Sequence, residues 1–571
     1  MDRSGLQRIL IAVLVFVGVY FAVSQGCGKD KGPNTAHVVA RNEPVALPDG
    51  AQAGAPCVIE TDRFKATIAA EGGGLVGYEL MGSKYVEGGA QIDLARRTTI
   101  DTDLKPIPFY APLRTYFRND PGAETQVPGD LVAFTTEKQG DACVLRHLSP
   151  GVVEIVRTVK PSARPYEIEI ETTIKNLAKE PRKHAFSTSL FAVQFKSAEG
   201  GMLSRPAPNE TFKAGCAVAG KLETHEKGGL RDWIVKTGEV DYAAIASSYL
   251  GQAIIPEQGS GARCAVIAED RGQKDTPLES SLYHAAIAYP TKELGEGQST
   301  TYKQVAFMGP KERSLLAAAG HHLDELIELG TFSVIAKLLV RFLSFAHGLV
   351  GSWGVAIILL TVSVRLLLLP LTIPQIKSSL AMRRLKPELD ALNAKFEHDP
   401  QAKMLATSQL YKKHGINPVL GCIPALLQMP VWFALYTSLQ TAMELYHERF
   451  LLWHDLSAPD PRFVLPLVLG ATMFVQQKVT PMQMDPAQQK VFLYFMPAMF
   501  TVFMLFLPAG LGIYMLTNSV LGIVQTLGVE RYYQSTAPVT GADVKVAVTE
   551  PSSGKGKGPR PARELARKND G

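Results

Sequence analysis

At 571 residues, with a formal net charge of +5 and 20% charged residues, the chain is long enough for several domains but too weakly basic for a nucleic-acid binder, and it carries no basic stripe with interleaved aromatics. The 46% hydrophobic content hides a division: residues 28–330 carry charge, Gly and Pro like ordinary globular sequence, whereas 350–528 hold almost all the long apolar runs. No P-loop, GxSxG, HExxH or calcium-loop pattern occurs, which removes the commonest nucleotide, hydrolase and metalloprotease classes.

The chain opens with Arg3 and Arg8, then an apolar run over 9–23. A basic start before an h-region of that length predicts an uncleaved signal-anchor span over 1–27. Ser24-Gln25-Gly26-Cys27 offers the alternative of a lipoprotein cleavage site, with Ser24 where a Leu is usual. Residues 28–56, without apolar periodicity, read as a flexible linker. From Cys57 the pattern changes. Residues 152–159 and 166–172 alternate apolar and polar, and turn residues separate such runs throughout, which predicts a large antiparallel β-sandwich over 57–315. Cys57, Cys143, Cys216 and Cys264 are widely and irregularly spaced, so neither a zinc site nor a redox motif is expected. Disulfides are chemically possible outside the cytoplasm; four buried thiols are the plainer reading.

Residues 311–329 read as a connecting helix, and 332–347 as a second helix within a linking region 316–349. In the second, Val334, Ile335, Leu338, Leu339, Phe342 and Phe345 fall on one face with Lys337 and Arg341 on the other, as suits a helix lying in the headgroup plane; the alternative is a helix packed on its own domain. His321-His322 with Asp324 makes no metal site on a helix, because adjacent residues point to different faces. Five spans follow, at about 350–372, 418–443, 463–477, 490–507 and 511–528, and the N-terminal segment makes six. Pro370, Pro430, Pro466 and Pro497 lie inside or at the ends of these spans, so kinks and close packing are expected.

Between the first two core spans, 381–396 and 401–414 predict a helical hairpin over 373–417. Met382, Leu385, Leu389, Leu392 and Phe396 should face Met404, Leu405, Leu410 and Tyr411. This loop carries eight Lys or Arg, among them Arg383, Arg384, Lys386, Lys395 and Lys403, against four acids. The tail 534–571 is basic and read as disordered, while the loop at 444–462 is not basic. The positive-inside rule then puts both termini and the hairpin in the cytoplasm and the β domain outside.

Arg365 lies deep in the first core span, among Ile, Leu and Val. A guanidinium there costs upward of about 2.5 kcal/mol. Every Asp and Glu between 350 and 528 sits in a loop or at a span end, so no span supplies an acid. Arg365 must therefore face water, face backbone carbonyls, or snorkel to a helix end expected near Leu371, about 9 Å away. Uncharged polar residues favour a wet groove. Tyr514, Asn518 and Gln525 share a face of the last span, and Thr472 and Gln476 lie one turn apart on 463–477, beside Gln477. Gln428 enters the 418–443 span, and Thr361 precedes Arg365 by one turn. A lone positive charge in such a groove would attract an acidic polar segment. Two other classes stay open on the residues alone. One is a transporter or channel using Arg365 for an anionic solute, although no internal repeat is found. The other is a scaffold whose β domain binds sugar or protein.

Several stretches, in this order, resemble the YidC family of membrane-protein insertases. They are Gly351-Ser352-Trp353-Gly354, the Arg365 helix ending Pro370-Leu371-Thr372, Gly415-Ile416-Asn417-Pro418, and Gln428-Met429-Pro430-Val431-Trp432. Further on come Trp453-His454-Asp455-Leu456-Ser457 and Asp485-Pro486-Ala487-Gln488-Gln489-Lys490. A large β domain after a signal anchor is similar to the Gram-negative form. The resemblance implies an α-helical membrane protein of six helices, with a five-helix insertase core over 350–533 and a periplasmic β-supersandwich. It implies an inner-membrane insertase or chaperone in which Arg365 receives the polar end of a short substrate, which leaves along the third and fifth spans. The partners it implies are nascent integral membrane proteins, the Sec translocon, the ribosome and membrane lipids, with no specific nucleic acid. It implies no cofactor, no metal, no nucleotide and no catalytic residue. Met515 departs from those members that have a second Tyr after the one matched by Tyr514.

Overall fold

The computed structural model describes residues 54–87, 89–95, 111–117, 132–195, 211–226, 230, 232–271, 279–330, 332–396, 399–414, 423–479 and 486–536. The signal anchor, Cys27, most of the 28–56 linker and the basic tail fall outside these residues.

Alternation in the first half becomes a sandwich of antiparallel sheets. In the strand Val153–Pro161, Val153, Ile155, Arg157 and Val159 are buried and the residues between them half-exposed, so one face turns to the core. The larger sheet has nine strands, in the order Lys221–His225, Lys213–Val218, Val240–Ala246, Leu250–Pro256, Ser299–Pro310, Glu167–Asn176, Val153–Pro161, Ala142–Ser149 and Thr135–Gln139. The facing sheet has five, in the order Ile234–Lys236, Arg263–Arg271, Ser280–Ala288, Ser187–Phe195 and Arg114–Tyr116. A three-stranded sheet over Cys57–Leu80 and two two-stranded ribbons, Arg182–His184 with Lys292–Leu294 and Val86–Glu87 with Ala90–Gln91, complete the domain among the described residues. Leu250–Pro256 departs from alternation, with all seven residues buried. Leu326 and Lys311 of the following segment pack over Gly251 on the outer side.

The four cysteines are not thiols. Cys57 is bonded to Cys143, tying the three-stranded sheet to the larger one, and Cys216 to Cys264, tying the larger sheet to the smaller. Sequence spacing could not show this, because each pair is brought together only by sheet packing.

The expected connecting helix is interrupted. Helix α1 (Arg313–Ala319) stops at Gly320, and Gly320, His321 and His322 all have φ between 55° and 76°. Three residues in the left-handed region end a helix. A short 3-10 turn follows at Leu323–Leu326. His322 meets Asp241 at 3.6 Å and His321 meets Arg164 at 2.8 Å. Among the described residues no cluster of His, Cys, Asp and Glu could hold a metal.

Helix α2 (Ser333–Val350) buries Ala336, Leu339, Val340, Leu343 and Ala346 against the bundle. Its expected single apolar face is therefore two. Leu339 packs inward, while Val334, Leu338, Phe345 and Leu349 stay exposed beside a strip carrying Lys337 and Arg341. Helix α3 (Trp353–Arg384) passes through Pro370 and Pro374 without ending near Leu371. Its 32 residues measure about 48 Å, well beyond a hydrocarbon core of about 30 Å. The first arm of the hairpin is thus the end of α3 plus α4 (Lys386–Lys395), with a break at Leu385. The second arm is α5 (Pro400–Lys413), capped by Asp399, which accepts from the Gln401 and Ala402 N–H groups. His414 reaches back to Glu388 at 3.6 Å across the hairpin. The expected apolar seam is only half made, since Leu385 is buried but Met404 and Leu405 point outward, 72% and 62% exposed.

Four more helices complete the bundle: α6 (Ile423–Gln440), α7 (Val464–Val479), α8 (Pro486–Met504) and α9 (Ala509–Thr536). By length and apolar composition α2, Trp353–Lys377 and Ala509–Tyr532 could each cross a membrane, and Val464–Val479 and Leu493–Met504 are shorter apolar helices. The loop between α6 and α7 gathers one end of this bundle. A Cβ on Gly354, at the start of α3, would collide with Phe450. The Ala509 and Gly510 N–H groups, at the start of α9, donate to Ala458 and Leu456 at 2.8 Å. The β domain sits on the same loop. Tyr446 bonds Glu87, Lys84 donates to the Glu444 carbonyl, and the Arg313 N–H donates to the Glu444 carboxylate. The β domain and the hairpin therefore lie at opposite ends of α3.

Candidate functional site around Arg365

Helices α3, α7 and α9 all start at the loop end, so depth can be counted from their first residues. Arg365 and Gln476 are each twelve residues in, about 18 Å, and Asn518 is nine, about 14 Å. These side chains share one level near the middle of a hydrocarbon core of about 30 Å.

At that level α9 holds the guanidinium by three bonds. Arg365 Nε donates to Asn518 Oδ1 at 2.6 Å, Nη2 to the Asn518 backbone carbonyl at 2.8 Å, and Nη1 to Gln525 Oε1 at 3.2 Å. Among the described residues no Asp or Glu forms an ion pair with it. Snorkelling to a nearby helix end does not occur, because α3 continues past Leu371 and the guanidinium turns sideways onto α9. The charge is thus met by amide dipoles alone, which leaves its formal +1 uncompensated.

Gly522 sits between Asn518 and Gln525 on the same face of α9. A Cβ there would lie 2.7 Å from Gln476 Nε2 and 3.4 Å from Arg365 Nη2. The missing side chain is what lets Gln476 of α7 approach the Arg365 cluster. Tyr514, one turn before Asn518, is 1% exposed. Thr361 is equally buried, but its hydroxyl donates to its own helix at the Ile357 carbonyl, 2.7 Å away. Thr472 does the same to Val468 at 2.7 Å. The two threonines therefore offer only acceptor capacity to a neighbour. Gln428 belongs to α6, and its side chain lies outside the described residues.

On the hairpin, Arg384 and Lys395 are exposed and Lys403 is half-buried, while the Arg383 and Lys386 side chains are not among the described ones. Sequence reading placed Asn518 in the cluster for its side chain; its carbonyl, as second acceptor, carried no sequence signal. Gly522 was missed altogether. Its spacing from Asn518 and Gln525, four and three residues, was the available clue.

A family model described as "60Kd inner membrane protein" matches residues 345–536, and one described as "YidC periplasmic domain" matches residues 57–342. "Membrane protein insertase YidC" of Anaeromyxobacter sp. (strain K) is 33% identical over 489 residues, covering 84% of this chain and 85% of that protein. The protein of the same name from Geobacter sulfurreducens is 32% identical over 388 residues, covering 67% and 70%. With the two models in tandem along the chain and a relative of this identity over most of both lengths, the chain belongs to the YidC family.

Proposed function

We propose that this chain inserts membrane proteins into the inner membrane and helps them fold and assemble, alone or beside the Sec translocon, without catalytic chemistry or nucleotide hydrolysis. The observation that carries the reading is a deep guanidinium held, among the described residues, by uncharged acceptors alone. Such a charge attracts the acidic end of an incoming segment and gives it a partner within the bilayer's boundary. The groove consists of Arg365, Gln476, Tyr514 and Asn518, with Thr361, Thr472 and Gln428 at its margins. The N-terminal span anchors the chain with both termini and the basic hairpin in the cytoplasm, where Arg383, Arg384, Lys386, Lys395 and Lys403 meet ribosomes and nascent chains. The β domain stands in the periplasm, and two disulfides suit that oxidising side. Helix α2 lies in the outer interface, its exposed apolar strip toward acyl chains and Lys337 and Arg341 toward headgroups.

Proteoliposomes carrying the full chain test the reading. Arg365→Ala should cut insertion of a short protein with an acidic tail by at least tenfold while the melting temperature changes little. Wild-type insertion yields across several such substrates would sink the role given to Arg365.

A further inference from the structure

A cavity of about 330 Å³ lies where the β domain meets the C-terminal end of α6, and that volume is at the lower end for small-ligand sites. Its walls include Lys213, Thr224, Lys311, Glu328 and Thr437. Two of the charged groups are already engaged. Lys213 is paired with both Glu226 and Glu328. Glu328 takes Lys213 on one carboxylate oxygen and the Thr224 hydroxyl on the other, at 2.7 Å.

Lys311 differs. It is 5% exposed, and its ammonium donates to the Ser247 carbonyl at 2.8 Å. No second acceptor for it occurs among the described residues, so two of its three N–H groups are left over. Each unmet buried donor costs on the order of 1–3 kcal/mol. Burial pulls the ammonium down to about 8, opposed by the nearby Glu328 and reinforced by Lys213, so it still carries charge at neutral pH. Leu222 and Leu326 give the same cavity apolar wall.

We propose that this cavity binds the phosphate group of a small or amphipathic anion, with Lys311 supplying the charge and the spare donors, and Leu222 and Leu326 receiving an apolar stem. The site is independent of the Arg365 groove and lies at the β-domain end of the bundle, whereas Arg365 sits near mid-core. The carbonyl end of α6 disfavours an anion, and the Thr441 hydroxyl donates to the Thr437 carbonyl there at 2.9 Å. The anion therefore sits on the Lys311 side of the cavity. Phosphate chemistry has two sources at this level, a lipid headgroup and the free ion.

Native mass spectrometry and thermal melts of the full chain in neutral detergent separate them. One arm adds phosphatidylglycerol, a second phosphatidylcholine, a third inorganic phosphate. Retained phosphatidylglycerol with a raised melting temperature identifies the lipid source, and a response to inorganic phosphate alone identifies the free ion. Lys311→Met should weaken the response at least tenfold without lowering the melting temperature of the unliganded protein. Ala246→Phe, which adds bulk at another lining residue of the cavity, should do the same if Lys311→Met fails to fold. No response to phosphatidylglycerol or inorganic phosphate overturns the site, and so does retention of phosphatidylcholine, a zwitterion, as strong as that of phosphatidylglycerol. So does a response that both variants leave unchanged.

Discussion

At the scale of single residues, the Arg365 site depends on what α9 does not contain. Asn518 and Gln525 satisfy the guanidinium geometrically without neutralising it. Asn518→Asp would supply the missing acid in nearly the same shape, and a charge-assisted bond is roughly twice as strong as a neutral one. The expected outcome is a higher melting temperature together with loss of insertion, because Arg365 is then paired permanently. An Asn518→Asp protein that inserts acidic substrates as well as wild type would contradict this. Gly522→Ala tests the notch. The new methyl must push Gln476 away from the Arg365 cluster, which should lower insertion roughly threefold to tenfold, equivalent to about 0.6–1.4 kcal/mol. Within the β domain, Glu167 is almost fully buried in its strand, and desolvation raises its carboxyl to about 7 against the pull of Arg164. The folded state therefore holds a proton that the unfolded chain releases near 4.5. Stability contributed there falls as pH rises from about 4.5 to 7. Glu167→Gln should stabilise the β domain at pH 8 by about 1–2 kcal/mol after screening, and leave it unchanged at pH 4. Equal melting temperatures of the two proteins at pH 8 would remove the effect.

At the scale of elements, legibility followed periodicity. Strands such as Val153–Pro161 announce themselves because one face is buried and the other is not. The apolar runs of the bundle were equally plain, but their ends were not. Pro370 and Pro374 look like stops, yet α3 continues through both, and the Thr372 hydroxyl donates to the Leu369 carbonyl between them. The segment after Pro310 has helical spacing throughout, but the left-handed turn at Gly320–His322 cuts it and only a short 3-10 turn follows. Helix α2 has a moment that sequence assigned to one apolar face, whereas the bundle claims one apolar strip and leaves another outside. Arg365 itself was legible because a charge in an apolar run is rare; Asn518 and Gln525 were among the polar residues gathered with it, but which of those amides would bond it was not, since that requires knowing which helices touch. Helices α7 and α8 touch through Gly470, where a Cβ would meet Thr501. Gly470→Leu should cost about 1–3 kcal/mol by overpacking that contact, read as a lower melting temperature in detergent. An unchanged melting temperature would mean the two helices separate freely.

On the scale of the whole molecule, two disulfides hold three sheets together. By chain entropy the Cys216–Cys264 bridge, with a separation of 48 residues, contributes about 4 kcal/mol. Replacing both cysteines with Ala should lower the stability of the β domain by that order. A loss of less than about 1 kcal/mol in denaturant melts would show that sheet packing alone suffices. Neither bridge was readable from spacing, and neither was the junction in which Lys84, Glu87 and Arg313 meet Glu444 and Tyr446. That junction has a temporal meaning. Lys84 and Glu444 are separated by 360 residues, and at about 5–20 residues per second a ribosome needs roughly 20–70 s to make the second after the first. During that interval Lys84 and Glu87 have been made but their partners Glu444 and Tyr446 have not. The loop that completes the junction comes only with the later helices, so for that interval each new copy exists with one side of its joint made and the other missing.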